Sequence, residues 1–176
     1  RRFTRSGESP YAGMTFEPRT SEIRNPDGTV IFHQDNVVVP SQWSQIATDI
    51  LAQKYFRKRG VPAAAAAAAT EGIRPSKDQA SPKAASRTAT ATAAATASPA
   101  APAAAPAAAP DAPTRGESDA RQVFHRLAFT WMDWGKRYKY FTTEEDAQAF
   151  YDEMCYILAR QMGAPNSPQW FNTGLY

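Results

Sequence analysis

The sequence predicts a mainly helical protein with a small β-hairpin near its amino end and a long disordered linker in the middle. Residues 62–113 hold 25 Ala and 8 Pro and no aromatic side chain. Such a composition cannot bury enough apolar surface to offset the entropy of ordering the chain. The other 124 residues of the chain, which lie before and after this segment, include every aromatic residue, and their apolar residues recur at helical spacing. The fold therefore divides into two ordered pieces joined by a linker at 62–115.

Residues 1–20 are rich in Gly, Pro, Ser and Arg and are predicted to form an extended arm. The segment 21–61 comes next as a β-hairpin and a helix. The hairpin turn has the sequence Asn-Pro-Asp-Gly, in which Pro26 fixes φ at about −65° and Gly28 accepts the positive φ that closes the loop. The three valines at 37–39 predict a third short strand.

The helix of this segment is expected to start at Ser41 or Ser44 and to run to residue 59, with Gly60 as its left-handed stop. Basic residues fill its last turns, where the helix dipole favours cations, and a phosphate-binding patch is the alternative interpretation. Its predicted apolar face consists of Trp43, Ile46, Ala47, Ile50, Leu51 and the Lys54/Tyr55 position.

The segment 116–163 is predicted to be an antiparallel helical hairpin. Its second helix begins after Thr143, whose hydroxyl caps a first turn of three carboxylates, and ends at Gly163. Cys155 lies in the apolar part of that helix and is interpreted as a buried, inert thiol rather than a reactive one. The first helix runs over 118–138 and is expected to bury Val123, Phe124, Leu127, Trp131 and Trp134.

Charge and composition exclude several kinds of site. A single cysteine excludes a disulfide framework and a CxxC motif, and His33 and His125 are too few for an ordinary zinc site. The formal charge of +3 includes no dense basic segment, which argues against nucleic-acid binding. The longest apolar run is polyalanine, and the Arg-rich start leads into no signal sequence. Neither a membrane span nor secretion is therefore indicated, and a cytoplasmic location is expected.

The stretch most suited to ligand binding is residues 164–174, which contain Asn166, Ser167 and Pro168. Pro165 and Pro168 fix the backbone, so that short polar side chains and free N–H groups can bind a phosphate or a ribose hydroxyl at little ordering cost. A loop that ends one helix and caps the next segment of the chain explains the same residues equally well. The residues alone leave both interpretations open.

Seven short motifs are spread over both ordered pieces, at residues 25–28, 39–45, 54–57, 134–135, 140–141, 144–147 and, as the most specific, 166–172 (Asn-Ser-Pro-Gln-Trp-Phe-Asn). Together they resemble the amino-terminal region of the class II ribonucleotide reductases, the adenosylcobalamin-dependent enzymes. The resemblance covers about residues 16–61 and 116–176 in the same order. The long Ala/Pro insertion departs from the family, in which a short connection is expected at this place.

The resemblance implies reduction of ribonucleotides to deoxyribonucleotides for DNA synthesis and repair. In that family adenosylcobalamin generates a thiyl radical on a cysteine of a ten-stranded α/β barrel, and thioredoxin re-reduces the enzyme. The chain is then expected to precede and enter this barrel, with residues 164–176 as the entering loop. It is expected to be inactive alone, because Cys155 matches none of the catalytic cysteines. The cobalamin site and the radical cysteine are expected beyond Tyr176.

The resemblance also implies a substrate contact. Ser167 matches the loop position that contacts the substrate ribose or phosphate, with Asn166 and the backbone of Pro168 in support. Deoxynucleotide or ATP effectors and a homodimer are further expectations, whereas a membrane and a nucleic-acid partner are not expected. The alternative is a non-enzymatic interaction module, in which two small helical units on a flexible tether dock on a partner by their aromatic faces.

Overall fold

The computed structural model describes residues 1–62, 69–70 and 114–174. Most of the predicted linker, residues 63–68 and 71–113, lies outside the described residues, as do residues 175–176. The described elements, in chain order, are β1 (Phe16–Arg24), β2 (Val30–Pro40), α1 (Gln45–Ile50), a π-helical segment (Leu51–Tyr55), β3 (Val61–Pro62), β4 (Thr114–Arg115), α2 (Ala120–Arg137), α3 (Glu144–Ala159) and α4 (Ser167–Asn172).

The predicted hairpin is confirmed, but its strands are longer than expected. β1 begins at Phe16 rather than residue 21, so five residues assigned to the extended arm belong to the strand. The valines at 37–39 form no third strand, because they continue β2 opposite residues 17–19. A β-bulge explains both differences. Asn36 adopts a φ of 55°, and the extra residue lets antiparallel pairing resume between Arg19 and Val37.

The first helix begins as predicted and ends early. The Ser44 hydroxyl accepts a hydrogen bond of 3.1 Å from the Ala47 N–H and caps α1. Helical structure stops at Tyr55 instead of residue 59, because Phe56 is extended, with a ψ of 130°. Gly60 has the expected positive φ of 77°, but it lies in the connection to β3 rather than at the helix end.

The predicted apolar face of this helix is partly wrong. Ile46 is 71% exposed and Ile50 is half-exposed, whereas Thr48 and Ala52 are buried in their place. Two features rotate the face. The last turns are π-helical, and the Arg19 guanidinium donates to the Trp43 carbonyl at 2.7 Å and to the Thr48 hydroxyl at 3.3 Å, which keeps Thr48 on the side of β1.

The ends of the predicted linker lie side by side. Val61 pairs with Arg115 and Pro62 pairs with Thr114 in a short antiparallel ladder. A Cβ atom built on Gly116 would lie 2.8 Å from the Lys58 carbonyl oxygen, so that this close approach requires glycine. Residues 62, 114 and 115, assigned to the linker by composition, therefore belong to the ordered structure.

The predicted helical hairpin forms from α2 and α3, each with a complete capping box. Asp119 and Gln122 cap α2, and Thr143 and Asp146 cap α3. The second helix ends at Ala159 rather than at Gly163, because Gln161 takes the left-handed conformation with a φ of 54°. Among the described residues, no helix is both long and apolar enough to cross a membrane.

The core lies between the helical hairpin, β2 and α1. The rings of Trp43 and Tyr11 pack against Phe124, with centroid distances of 5.8 and 6.5 Å. Trp134, which the helical pattern placed in the core, is 48% exposed near the end of α2. Side chains with no exposed surface include Val37, Val39, Val123, Phe124, Leu127, Tyr151 and Cys155.

The amino-terminal arm lies along α3. The Glu153 carboxylate accepts hydrogen bonds from the backbone N–H groups of Arg2, Phe3 and Thr4, at 2.8 to 3.2 Å. Partial burial opposes ionisation of this carboxyl, but the hydrogen bonds outweigh it and hold the pKa of Glu153 below its usual value. The ring of Phe3 stacks on Tyr156 with centroids 5.3 Å apart.

Candidate functional site

The stretch singled out for ligand binding contains a short helix rather than a loop alone. α4 starts directly after Asn166, and the Asn166 carbonyl accepts the Gln169 N–H at 2.9 Å. The Asn166 side chain makes no capping hydrogen bond. The backbone of Pro168 suits the first turn, in which its missing N–H has no helical partner to lose. Asn166, Ser167 and Pro168 are all exposed.

Tyr55 holds this stretch against the π-helical segment. Its hydroxyl oxygen lies 3.0 Å from the Ser167 Oγ, and its ring packs on Trp170 and Phe171 with centroid distances of 5.4 and 5.1 Å. The Trp170 indole N–H donates to the Pro165 carbonyl at 2.8 Å. We refer to Tyr55, Asn166, Ser167 and Pro168 as the Ser167 rim. It is an exposed polar edge on a rigid aromatic support.

A buried ion pair lies beneath the rim. The Arg126 Nε donates to a Glu117 carboxylate oxygen at 2.9 Å, and each side chain is only 1% exposed. The guanidinium also donates to three backbone carbonyls, those of Trp170 at 3.0 Å, Thr173 at 3.1 Å and Tyr55 at 3.2 Å. Arg126 therefore joins both sides of the rim.

The other half of the ion pair binds the chain just after the π-helical segment. The Glu117 carboxylate accepts the Arg57 N–H at 2.8 Å, and the Glu117 N–H donates to the Arg57 carbonyl at 2.7 Å. At the far side Gly174, with a φ of 67°, packs so closely that an added Cβ would lie 2.6 Å from the Arg126 Cγ. Four segments of the chain thus meet at one guanidinium.

The sequence interpretation missed this pair, although the pattern contained a signal. Arg126 stands three residues after Val123 and next to Leu127, on the face of α2 predicted to be apolar. A charged residue on such a face is almost never buried without a partner. Glu117, just before the helix, is the matching carboxylate.

The remaining candidate groups are unsuited to chemistry. Burial raises the pKa of the Cys155 thiol to about 12, as expected for an inert thiol. Burial lowers the pKa of His125 to about 4, and its Nδ1 lies 2.8 Å from the Tyr151 hydroxyl. His33 lies exposed on β2, where hydrogen bonds with Asp35 and Glu22 raise its pKa. The described part of the chain contains no cluster of three or more His, Cys, Asp or Glu side chains able to hold a metal ion.

Comparison with known proteins decides the family. Residues 17–161 match the family model described as class II vitamin B12-dependent ribonucleotide reductase. The chain belongs to this family. It is 49% identical to vitamin B12-dependent ribonucleotide reductases of Bradyrhizobium diazoefficiens and of Agrobacterium fabrum, over alignments that cover the whole chain. A vitamin B12-dependent ribonucleotide reductase of Rhodopirellula baltica is 28% identical over 97% of the chain.

The chain spans only 12–13% of the length of these reductases. The family match ends at residue 161, before Asn166, Ser167 and Pro168, whereas both alignments at 49% identity include these residues and the Ala/Pro segment. The predicted resemblance to the class II reductases is thereby confirmed.

One cavity among the described residues, of about 340 Å³ between the arm and Tyr156, is too small to enclose a corrin ring with its nucleotide tail. Neither histidine offers an accessible nitrogen beside such a space, because His125 is buried against Tyr151 and His33 lies on the hairpin between two carboxylates. Within residues 1–62 and 114–174, no side chain is therefore assigned as a ligand of the cofactor.

Proposed function

We propose that this chain is the amino-terminal, substrate-side part of an enzyme that reduces ribonucleotides to deoxyribonucleotides. The observation that carries the proposal is the exposed Ser167 hydroxyl, which Tyr55 holds at 3.0 Å on a rigid support. Adenosylcobalamin and thioredoxin act elsewhere in the enzyme. The chain alone is inactive, because its one cysteine is buried with a pKa near 12.

The rim has the chemistry that a nucleotide requires. A serine hydroxyl donates one hydrogen bond and accepts others, so Ser167 can bond to a ribose hydroxyl or a phosphate oxygen while it keeps its contact with Tyr55. The Asn166 amide, which is not used as a cap, offers further donors and an acceptor beside it. Pro168 and the packed rings of Tyr55, Trp170 and Phe171 reduce the entropy lost when a ligand is ordered against them.

In the complete enzyme this rim leads into the catalytic barrel. Residues 164–176 then lie at the entrance of a ten-stranded α/β barrel that carries the radical cysteine and the cobalamin site. Nucleotide effectors, a homodimer and a cytoplasmic location stay predictions. The alternative interaction module is not favoured, because the whole chain aligns with vitamin B12-dependent reductases at 49% identity.

The test is Ser167→Ala in the complete reductase that contains this chain. The loss of one or two hydrogen bonds to the substrate is expected to lower kcat/KM by about 5- to 150-fold, equivalent to about 1–3 kcal/mol. Tyr55→Phe removes only the hydroxyl that positions Ser167 and is expected to give a smaller loss in the same direction.

The matched control is Ser118→Ala, which removes another exposed serine hydroxyl just before α2. Its kinetics are expected to equal those of the wild type. If Ser167→Ala also leaves both kcat and KM unchanged, Ser167 does not touch the substrate and the proposed site is wrong.

A further inference from the structure

The buried Arg126–Glu117 pair has more hydrogen-bonding partners than an ion pair needs. We infer that Arg126 is a positioning residue for the nucleotide: it sets the place of the Ser167 hydroxyl by fixing the backbones on both sides of the rim. The inference rests on the proposed function, because it concerns how the same site is held. Arg126 itself never touches the substrate.

The guanidinium of Arg126 holds groups on both sides of the Ser167 hydroxyl. One of its nitrogens bonds to the Tyr55 carbonyl, in the residue whose hydroxyl contacts Ser167. Another bonds to the carbonyls of Trp170 and Thr173, at the end of the short helix that Ser167 begins. The distance between the Tyr55 and Ser167 hydroxyls is therefore fixed from both ends by one rigid planar group.

Stability does not explain the ion pair. Replacing a buried ion pair by apolar residues of similar volume is often neutral or stabilising, so that an ion pair is weak evidence for stability. The neighbouring core is already fully buried, because Val123, Phe124 and Leu127 have no exposed surface. What the guanidinium adds at this place is the fixed position of the backbone carbonyls that it binds. A methionine would fill the same volume but would form no hydrogen bond to a carbonyl.

Lysine cannot replace this arginine. The planar guanidinium presents five donors in a fixed fork, whereas an ammonium group is a compact charge with three donors on a flexible stem. Arg126→Lys can keep the charge beside Glu117 but cannot reach the carbonyls of both Tyr55 and Trp170. The substitution separates charge neutralisation from positioning.

The experiment is a double-mutant cycle in the complete reductase, with Arg126→Lys, Ser167→Ala and both together. Each single variant is expected to lower kcat/KM by about tenfold. If Arg126 acts through Ser167, the double variant loses little more than Ser167→Ala alone, about tenfold to twentyfold. Losses that multiply to about a hundredfold mean that Arg126 acts independently of the rim and overturn the inference.

The melting temperature separates positioning from general stability. It is measured for Arg126→Lys and for the control Lys136→Met/Glu144→Met, which removes an exposed ion pair at the far end of the hairpin. The control is expected to keep wild-type kinetics. If Arg126→Lys does not fold, Glu117→Met/Arg126→Met removes both charges and enters the same cycle in its place.

The outcomes distinguish this inference from the proposed function. Unchanged kinetics in Arg126→Lys together with impaired kinetics in Ser167→Ala overturn the positioning role and leave the substrate site in place. Unchanged kinetics in Ser167→Ala overturn the proposed site itself. A coupled loss in the cycle supports both.

Discussion

In the helical hairpin, α2 completely buries apolar side chains such as Phe124 and Leu127. At the Ser167 rim, by contrast, four separate chain segments meet through the donors of Arg126 and the carboxylate of Glu117. Apolar contacts are non-directional and tolerate small shifts, whereas hydrogen bonds to fixed carbonyls define positions. The hairpin core stabilises the fold, whereas the hydrogen bonds beneath the rim fix the positions of the chain segments that form it.

The difference has a consequence for how each region responds to substitution. Damage to the hairpin core is expected to lower the free energy of unfolding and to leave the rim in place wherever the protein stays folded. Damage to the Arg126–Glu117 pair is expected to impair the substrate binding proposed for the rim, even in variants that stay folded. Substitutions in each region test whether the two effects separate in this way.

The largest effect is expected for Phe124→Ala. Phe124 has no exposed surface and packs on Trp43 and Tyr11, so its loss leaves a cavity that costs about 3–5 kcal/mol of stability. Urea unfolding of the chain measures the change. The control Tyr140→Ala removes a ring that is 79% exposed and is expected to cost less than about 1 kcal/mol.

Phe124→Ala also tests whether effects on stability and effects on substrate binding are separate. In the complete reductase, at a temperature at which Phe124→Ala remains folded, the KM for the nucleotide is expected to equal that of the wild type. A KM raised as much as in Ser167→Ala would show that a change in the hairpin core also displaces the rim, so that the two regions are coupled.

The hairpin and the cap of α3 could be predicted from the sequence because their signals are local. Thr143 and Asp146 lie three residues apart, and the apolar face repeats along one helix. The Arg126–Glu117 pair could not be assigned in the same way, because its partners Tyr55 and Trp170 are distant in the chain. The early end of the first helix, at Tyr55, likewise depends on a tertiary contact, the bond between Arg57 and Glu117.

For the Ser167 stretch the sequence left two interpretations, ligand binding and helix capping, and the structure bears on the second alone. Asn166 does begin a helix, as the capping interpretation requires, yet its side chain is not used as the cap. Residue types alone could not reveal that, because the same Asn-Ser-Pro sequence suits either use of the side chain.

A moderate effect is expected from pH, through His125. Its pKa of about 4 in the folded chain lies below the ordinary 6.5, because burial disfavours the charged ring. This shift leaves stability unaffected well above pH 6.5 and lowers it as the pH falls towards 4, by about 3 kcal/mol, because the unfolded chain then binds a proton that the buried ring does not. Urea unfolding at pH 7 and pH 4.5 measures the loss.

His125→Gln is the matched variant, and its stability is expected to fall less over the same pH interval. His33→Gln is the control, because His33 is exposed and its pKa is raised instead. Equal pH dependence in the wild type and in His125→Gln would contradict the burial of a neutral ring against Tyr151.

The smallest effect is expected from shortening the Ala/Pro segment. We propose that residues 71–113 only connect the two ordered pieces, because Val61 and Arg115 are already paired where the segment leaves and returns. Replacing 71–113 by a short Gly-Ser turn is expected to stabilise the chain by about 1–2 kcal/mol, since a shorter loop costs less entropy to close.

The Gly-Ser variant of original length is its control and is expected to match the wild type in melting temperature. Both variants are expected to keep the wild-type KM in the complete reductase. A raised KM in the shortened variant alone would show that the segment takes part in holding the rim through Glu117.

The most direct test of the central claim is the structure of the complete reductase with a ribonucleotide bound. If the rim binds the substrate, the Ser167 Oγ lies within about 3.2 Å of a ribose or phosphate oxygen, with Arg126 still bonded to the carbonyls of Tyr55 and Trp170. A nucleotide bound out of hydrogen-bonding reach of Ser167 and Asn166 would contradict it.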